Sequence, residues 1–350
     1  MLMKPLFLRL LLVTLVAFAL SCQPRDKYVV YSGYAQGGVW TVKANMKGVD
    51  VKEKDVKNVL DSILLQIDNS LSGYNKGSLL SRFNAGATIA PDSLFLDIYG
   101  RSFDIYESTG GCIDPASAPI FDMWGFGFKS GEMPSDDKVA LALKECGMDR
   151  LLKDIHGALS SDGTLSPDRL LLTDAGETLP QLNYNAIAQG YSCDVVASYL
   201  YSIGVKDMMV DIGEIFCDGV NPSGGQWTIG IDSPVDGNNS PGEKLQAIFK
   251  VPAGPHGVVT SGNYRKFYVK DGRKYAHTID PRTGYPVSHS LLSATILAPD
   301  ATIADAYATY CMVIGLDASK EFLSSRPDLE GCLIYDEGGE FKIWTSAGFL

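Results

Sequence analysis

The sequence predicts an α+β protein with mixed, largely antiparallel sheets and packed helices. Amphipathic helical segments and short strand-like segments occur without the regular strand–helix alternation of a parallel sheet. Strand-like segments also come in adjacent pairs, such as residues 266–270 and 274–279 around Asp271-Gly272, which is typical of a hairpin. A hydrophobic content of 45% and a charged content of 20% fit an ordinary globular protein.

Helical spacing of apolar residues predicts the main helices. The clearest covers residues 54–71, where Val56, Leu60 and Leu64 recur on one face, and Gly73 is expected to close it. The other helices are predicted at residues 94–108, 136–146 with Gly147 as C-cap, 188–203 and 302–314.

Strands are predicted from short apolar runs bounded by turn residues. They are expected at residues 28–32, 39–46, 208–211, 227–231 and 291–297, with a last hairpin formed by 332–335 and 341–344 around Gly338-Gly339. We expect one domain over residues 23–350. A segment rich in Ser, Asp and Gly is a candidate lobe boundary near 160–175.

The first 22 residues predict an export signal. Lys4 and Arg9 precede an apolar run at residues 10–20, and small residues follow. A Cys directly after Leu20-Ser21 favours a lipoprotein signal in which Cys22 becomes the lipidated N-terminus. The chain would then be anchored on the periplasmic side of the inner or the outer bacterial membrane. Plain cleavage and an uncleaved anchor remain open.

The net charge of −11 argues against a nucleic-acid partner. It also means that an anionic ligand would need a local cation or a helix N-terminus. Six cysteines follow Cys22 without any C-x-x-C pair, so we expect buried free thiols, although export leaves disulfides open.

Two segments carry the residue types that chemistry needs. Asp305 and Thr309 are four apart on the predicted helix, so they share a face and could offer oxygen ligands to Mg²⁺ or Ca²⁺. The pair equally fits an exposed Asp and a Thr bonded to the helix backbone. His277 ends a predicted strand before a turn, where it could act as a general base or simply hydrogen-bond the turn.

Three further segments are suited to a ligand. Residues 183–194 lead into a helix whose first amides could bind phosphate, or they form a plain helix entry. Residues 111–115 and 124–127 combine aromatics and glycines, which suits a flat heteroaromatic ligand or a packed corner of the core. Gly262, after Ser261, permits close backbone approach to a ligand or a positive φ, although residues 261–264 also fit an ordinary strand entry. The motifs of dinucleotide folds, P-loops and serine hydrolases do not occur.

Taken in order, these segments resemble the FAD:protein FMN transferases, the ApbE family. The resemblance runs over residues 34–315. It is strongest at 277–286, where H-T-I-D-P-R-T-G-Y-P is similar to H-I-I-D-P-[RK]-T-G-x-P, and at 304–309, where A-D-A-Y-A-T matches A-D-A-x-x-T. Weaker matches lie at 37–40, 72–84, 109–115, 124–127, 183–194 and 261–264.

The resemblance implies a T-fold-related architecture and a Mg²⁺-dependent transferase. Such an enzyme moves FMN from FAD to a Ser or Thr hydroxyl and releases AMP. The partner would be an acceptor protein with an FMN-binding domain, of the kind found as subunits of redox complexes. Two alternatives are an FAD pyrophosphatase that yields FMN and AMP, and a non-catalytic FAD-binding lipoprotein.

The resemblance also implies residue roles. Asp305, Thr309 and the main-chain carbonyl of Ala186 would bind the metal, and His277 would be the base. The positions implied to contact FAD are Gln36, Tyr74, Cys112, Ile113, Asp114, Asn183, Gln189, Ser261, Gly262 and Ile279. Asn183 and Gln189 are neutral where the family carries charged residues, and Ile113 stands where it has Phe.

Overall fold

The structure is a computed structural model that describes residues 27–128, 133–172, 178–235, 242–263, 267–270 and 273–349. The predicted signal and Cys22 lie outside the described residues, as do the Asp271-Gly272 turn and Tyr264. Among the described residues, no helix is both long and apolar enough to cross a membrane. The lobe boundary near 160–175 stays a prediction.

An antiparallel sheet organises the protein. In chain order the strands are β1 (Tyr28–Ala35), β2 (Gly38–Asn45), β3 (Met208–Asp211), β4 (Ile215–Asp218), β5 (Thr228–Asp232), β6 (Leu245–Lys250), β7 (His256–Gly262), β8 (Phe267–Lys270), β9 (Arg273–Ala276), β10 (Ile279–Asp280), β11 (Tyr285–Pro286), β12 (Leu291–Ala298), β13 (Glu330–Glu337) and β14 (Glu340–Thr345). Within the described parts of the chain, eight of them pair in the order β1-β2-β3-β4-β7-β12-β13-β14. Every neighbouring pair is antiparallel, which confirms the α+β prediction.

The helices fall where periodicity placed them, with three additions. They are α1 (Glu53–Leu71), α2 (Leu79–Asn84), α3 (Ser93–Ser108), α4 (Ala118–Met123), α5 (Asp136–Leu143), α6 (Ala188–Ser202), α7 (Ala301–Ile314) and α8 (Leu316–Ser325). Helices α2, α4 and α8 were not predicted. The predicted C-cap of α5 is wrong, because the helix ends at Leu143 with Lys144 as its cap, and Gly147 lies beyond it at a φ of +121°.

The core lies in two layers on either side of the sheet. On one face, α1, α3 and α6 pack against β1–β4, while α7 and α8 pack against β7, β12 and β13. On the other face, the β5–β6 hairpin covers the neighbouring strands β4, β7, β12 and β13. Val258 and Val259 belong to opposite layers, as the alternation of side chains along a strand requires.

Two glycines bring α7 into backbone contact with its neighbours. A Cβ on Gly257 of β7 would lie 2.3 Å from Ala301 Cα, and one on Gly190 of α6 would lie 2.2 Å from the Ala301 carbonyl oxygen. The Asp194 carboxylate accepts hydrogen bonds from the Ala301 and Thr302 amides, each at 2.9 Å. Packing and capping together therefore fix the position of α7 between β7 and α6.

Gly73 has a different role from the predicted one. Helix α1 ends at Leu71 with Ser72 as its cap. A Cβ on Gly73 would lie 2.2 Å from the Phe128 ring, so the glycine admits that ring rather than closing the helix. The prediction of buried free thiols is confirmed for all six cysteines that follow Cys22.

Candidate active site

Asp305 lies inside the protein between α7 and α6. Its side chain is only 5% exposed, and its Oδ2 accepts a hydrogen bond from the Gly190 amide at 3.1 Å. Burial and, to a smaller extent, the nearby Asp194 carboxylate raise the pKa of Asp305 to about 8, although the Gly190 amide acts to lower it. A buried carboxylate that one amide stabilises is suited to receive a cation.

Thr309 lies one turn after Asp305 on the same face of α7. Its Oγ1 shares a hydrogen bond of 3.0 Å with Ser261 Oγ on β7. The alternative of an exposed Asp and a Thr bonded to its own helix is therefore wrong. Both oxygens instead lie on the inner side of α7.

Ala186 lies in the turn that precedes α6. The Gly190 amide donates to Asp305 and so bypasses the carbonyl of Ala186, its acceptor in a regular helix. Among the described residues, no group of three or more His, Cys, Asp or Glu side chains could hold a metal ion. A metal centre here would depend on one carboxylate with hydroxyl and carbonyl oxygens, a donor set that fits Mg²⁺ and not a soft metal.

Thr278, the neighbour of His277, connects it to the end of β7. The Thr278 hydroxyl donates to Asn263 Oδ1 at 2.7 Å, and Asn263 follows Gly262, the last residue of β7. The half-buried imidazole meets the edge of the Phe126 ring at 6.4 Å between centroids. The candidate base and the Thr309 partner Ser261 are thus both tied to the end of one strand.

The turn after β10 is held rigidly. Ile279 is buried, and the Asp280 carboxylate accepts two hydrogen bonds from Arg282, at 2.9 and 2.8 Å. Trp124 Nε1 donates to the Gly284 carbonyl at 2.8 Å. This contact brings together the 124–127 and 277–286 segments, which the sequence could only identify separately.

The Cys112–Asp114 loop turns its first two side chains into the core, since Cys112 and Ile113 are 3% and 4% exposed. Asp114 Oδ1 accepts from the Ala116 amide at 2.8 Å and the Met148 amide at 3.2 Å. Burial raises the pKa of Asp114 to about 7. Any ligand contact from Cys112 or Ile113 would therefore be made by the main chain.

Tyr74 offers an exposed aromatic surface next to this loop system. Its ring is 62% exposed and packs edge-to-face on Phe128 at 5.1 Å. Asn185 Nδ2 donates to Tyr74 Oη at 3.3 Å, and Asn183 Oδ1 accepts from the Asn185 amide at 2.9 Å. The Asn183 amide donates to the Pro115 carbonyl at 2.7 Å. Hydrogen bonds thus join the segments that contain Tyr74, Pro115 and Asn183.

Gln36 contacts α6, and Gln189 lies in its first turn. Gln36 sits in the β1–β2 turn at a φ of +52°, and its Nε2 donates to Ser192 Oγ at 2.5 Å. Gln189 Nε2 donates to the Ile212 carbonyl at 3.2 Å. Sequence reasoning assigned no role to Ser192, Gly190 or Asn185, because their importance comes from contacts between distant segments.

Comparison with known proteins agrees with this geometry. The family model described as "ApbE family" matches residues 37–333. The FAD:protein FMN transferase of Escherichia coli K12 is 31% identical over 98% of this chain and 96% of that protein, and the one of Haemophilus influenzae is 29% identical over 99% and 98%.

Solved structures agree as well. The flavin transferase ApbE from Vibrio cholerae superimposes with a TM-score of 0.76 at 28% identity, covering 93% of this chain and 100% of that one. The apo form of Pseudomonas stutzeri flavinyl transferase ApbE gives 0.77 at 27% identity, covering 93% and 96%. The family-model match and the full-length relatives agree with the geometry of the site. The chain therefore belongs to the ApbE family.

Proposed function

We propose that this protein transfers FMN from FAD to the hydroxyl of a Ser or Thr in an acceptor protein and releases AMP. Relatives that match it over nearly their whole length are named FAD:protein FMN transferases. The observation that carries the proposal is the buried Asp305, bonded to the Gly190 amide and one helical turn from Thr309.

The same residues support a magnesium site. Asp305, Thr309 and the Ala186 carbonyl would hold the ion, since all three offer the hard oxygen atoms that Mg²⁺ prefers. When bound, Mg²⁺ would neutralise charge on the diphosphate and on the departing AMP.

Residues of the protein itself would take up the proton of the acceptor hydroxyl and orient the base. The acceptor oxygen forms a bond to the FMN phosphorus, and the bond from that phosphorus to the bridging oxygen breaks, so the bridging oxygen leaves with AMP. His277 accepts the hydroxyl proton as the new bond forms. The Phe126 ring lies beside the imidazole in an edge-to-face arrangement and would help to orient it.

FAD would lie along the exposed side of the site. The Tyr74 ring offers a stacking surface, and the amides of Asn183 and Asn185 can hydrogen-bond a ribose or a base. Main-chain groups of Cys112 and Ile113 border the same region.

The acceptor would be a protein with an FMN-binding domain, of the redox-complex subunit type. A lipid on Cys22 would hold the enzyme on the periplasmic side of a bacterial membrane and raise its effective concentration near a membrane-bound acceptor. Replacing Cys22 with Ala should move the exported protein from the membrane fraction to the soluble fraction.

Mass spectrometry of the acceptor tests the proposed reaction. Purified protein is incubated with FAD, Mg²⁺ and several candidate acceptors, and AMP is measured in parallel. We expect one FMN phosphoester on a Ser or Thr for each AMP released. AMP that forms equally without an acceptor would indicate a pyrophosphatase, and bound FAD with no AMP would indicate a binding protein.

A further inference from the structure

Ser261 is placed to control the metal ligand rather than the flavin. We propose that Ser261 is a positioning residue that orients the Thr309 hydroxyl towards Mg²⁺. This inference rests on the proposed magnesium site, and it assigns to Ser261 a role different from the FAD contact that the family resemblance implies.

The contact that supports it is direct. Ser261 Oγ and Thr309 Oγ1 are 3.0 Å apart, and they join β7 to α7 across 48 residues of chain. Ser261 pairs with Ala294 of β12, and alternation along β7 places its side chain on the same face as Gly257 and Val259, which faces α7. The tight approach of Gly257 to Ala301 fixes the distance between β7 and α7 at the start of the helix.

Metal binding imposes a requirement on Thr309 that Ser261 meets. A hydroxyl that gives a lone pair to a cation must donate its proton away from the cation. Ser261 Oγ is an acceptor for that proton. Without it, the Thr309 hydroxyl would turn to the helix carbonyl four residues earlier, which belongs to Asp305 and is the usual partner of a helical Thr.

The chain provides a matched control one residue away. Thr260 Oγ1 and Thr295 Oγ1 share a hydrogen bond of 2.8 Å between the same two strands that carry Ser261 and Ala294. Side chains alternate along β7, so this hydroxyl pair lies on the opposite face of the sheet from α7. Removing it tests the loss of a hydroxyl contact without touching Thr309.

The test compares Ser261→Ala, Ser261→Thr and Thr260→Val with the wild-type protein. Binding of Mn²⁺ is measured by electron paramagnetic resonance on the purified protein, and the Mg²⁺ activation constant and the KM for FAD are measured by AMP release. We expect Ser261→Ala to weaken Mn²⁺ binding and raise the Mg²⁺ activation constant by about 10- to 100-fold, as for other partners of metal ligands. At saturating Mg²⁺ its kcat and its KM for FAD should return to wild-type values, and Ser261→Thr and Thr260→Val should bind Mn²⁺ like the wild type.

Other outcomes would overturn the inference in distinct ways. If Ser261→Ala raises the KM for FAD at saturating Mg²⁺ and leaves Mn²⁺ binding unchanged, Ser261 touches FAD. If Ser261→Ala and Thr260→Val weaken Mn²⁺ binding equally, the effect is one of general packing. A wild-type protein that is inactive with FAD in every condition would instead reject the proposed function, and the inference would fall with it.

Discussion

The buried and the exposed sides of the site are built differently. On the buried side, Asp305 accepts a hydrogen bond from Gly190 of α6 and Thr309 shares one with Ser261 of β7, and two glycines bring both elements into close contact with α7. On the exposed side, Tyr74 is 62% exposed and accepts a hydrogen bond from the neutral side chain of Asn185. The difference separates reaction from recognition: changes on the buried side should act on metal binding and kcat, and changes on the exposed side on the KM for FAD.

Removal of the Asp305 carboxylate should have the largest effect. We expect Asp305→Ala to lower FMN transfer by about 10³-fold, which corresponds to about 4 kcal/mol of transition-state stabilisation. It should also abolish Mn²⁺ binding, measured by electron paramagnetic resonance. Asp305→Asn is the matched control for shape. It should lose the same activity but unfold at a temperature no lower than wild type without metal, because Asn keeps an oxygen acceptor for the Gly190 amide and is neutral, like the protonated acid that burial favours. Transfer at the wild-type rate by either variant would contradict the metal assignment.

Loss of the candidate base should lower the rate of transfer less than loss of Asp305 does, and it should leave metal binding unchanged. We expect His277→Ala to lower kcat by about 10²-fold, at the lower end of the range for a general base. Mn²⁺ affinity should stay at the wild-type value, since His277 is not one of the three proposed metal ligands and joins β7 through Thr278 and Asn263. Phe126→Leu serves as the companion variant, because it removes the ring that contacts the imidazole and leaves the base itself. A His277→Ala enzyme with unchanged kcat would show that another group takes the proton.

The packing of α6 on α7 can be tested through two helical glycines. A Cβ on Gly190 would lie 2.2 Å from the Ala301 carbonyl oxygen and 2.9 Å from Asp305 Cβ, so Gly190→Ala should destabilise the fold by about 1–3 kcal/mol. Gly100 of α3 has nothing within 4 Å of the same position, and Gly100→Ala should stabilise the fold by about 0.5–1 kcal/mol. Urea unfolding measures both. Equal effects of the two substitutions would mean that α6 and α7 do not cross as closely at Gly190 as the structure describes.

The sequence predicted the elements whose signal is local. Helices α1 and α7 each begin only one residue before their predicted start. The agreement is this close because both segments carry an uninterrupted helical pattern. Strand β7 was not predicted. Its glycines weaken a strand pattern, and Gly257 is needed only because the α7 backbone lies against it. The need for glycine at this position comes from a contact between distant segments, so the local sequence does not reveal it.

The site shows the same limit. The spacing of Asp305 and Thr309 placed them on one face, but it could not tell a buried face from an exposed one. The burial of Asp305 follows from Gly190, which is far away in sequence and lets α6 approach. The contact between Ser261 and Thr309 depends on how β7 packs against α7, and no periodicity in either segment records it.

The smallest predicted effect lies on the exposed side, at Tyr74. Tyr74→Phe removes only the 3.3 Å hydrogen bond from Asn185, so the KM for FAD should change by no more than about twofold, as is usual for an exposed neutral hydrogen bond. Tyr74→Ala removes the ring and its stacking surface, and the KM should rise by about 10-fold, in line with about 1–3 kcal/mol per stacked base. In both variants kcat and Mn²⁺ affinity should stay at wild-type values. Steady-state kinetics with varied FAD at saturating Mg²⁺ measures these quantities. A fall in kcat without a change in KM for Tyr74→Ala would mean that recognition and reaction are not divided between the exposed and the buried sides.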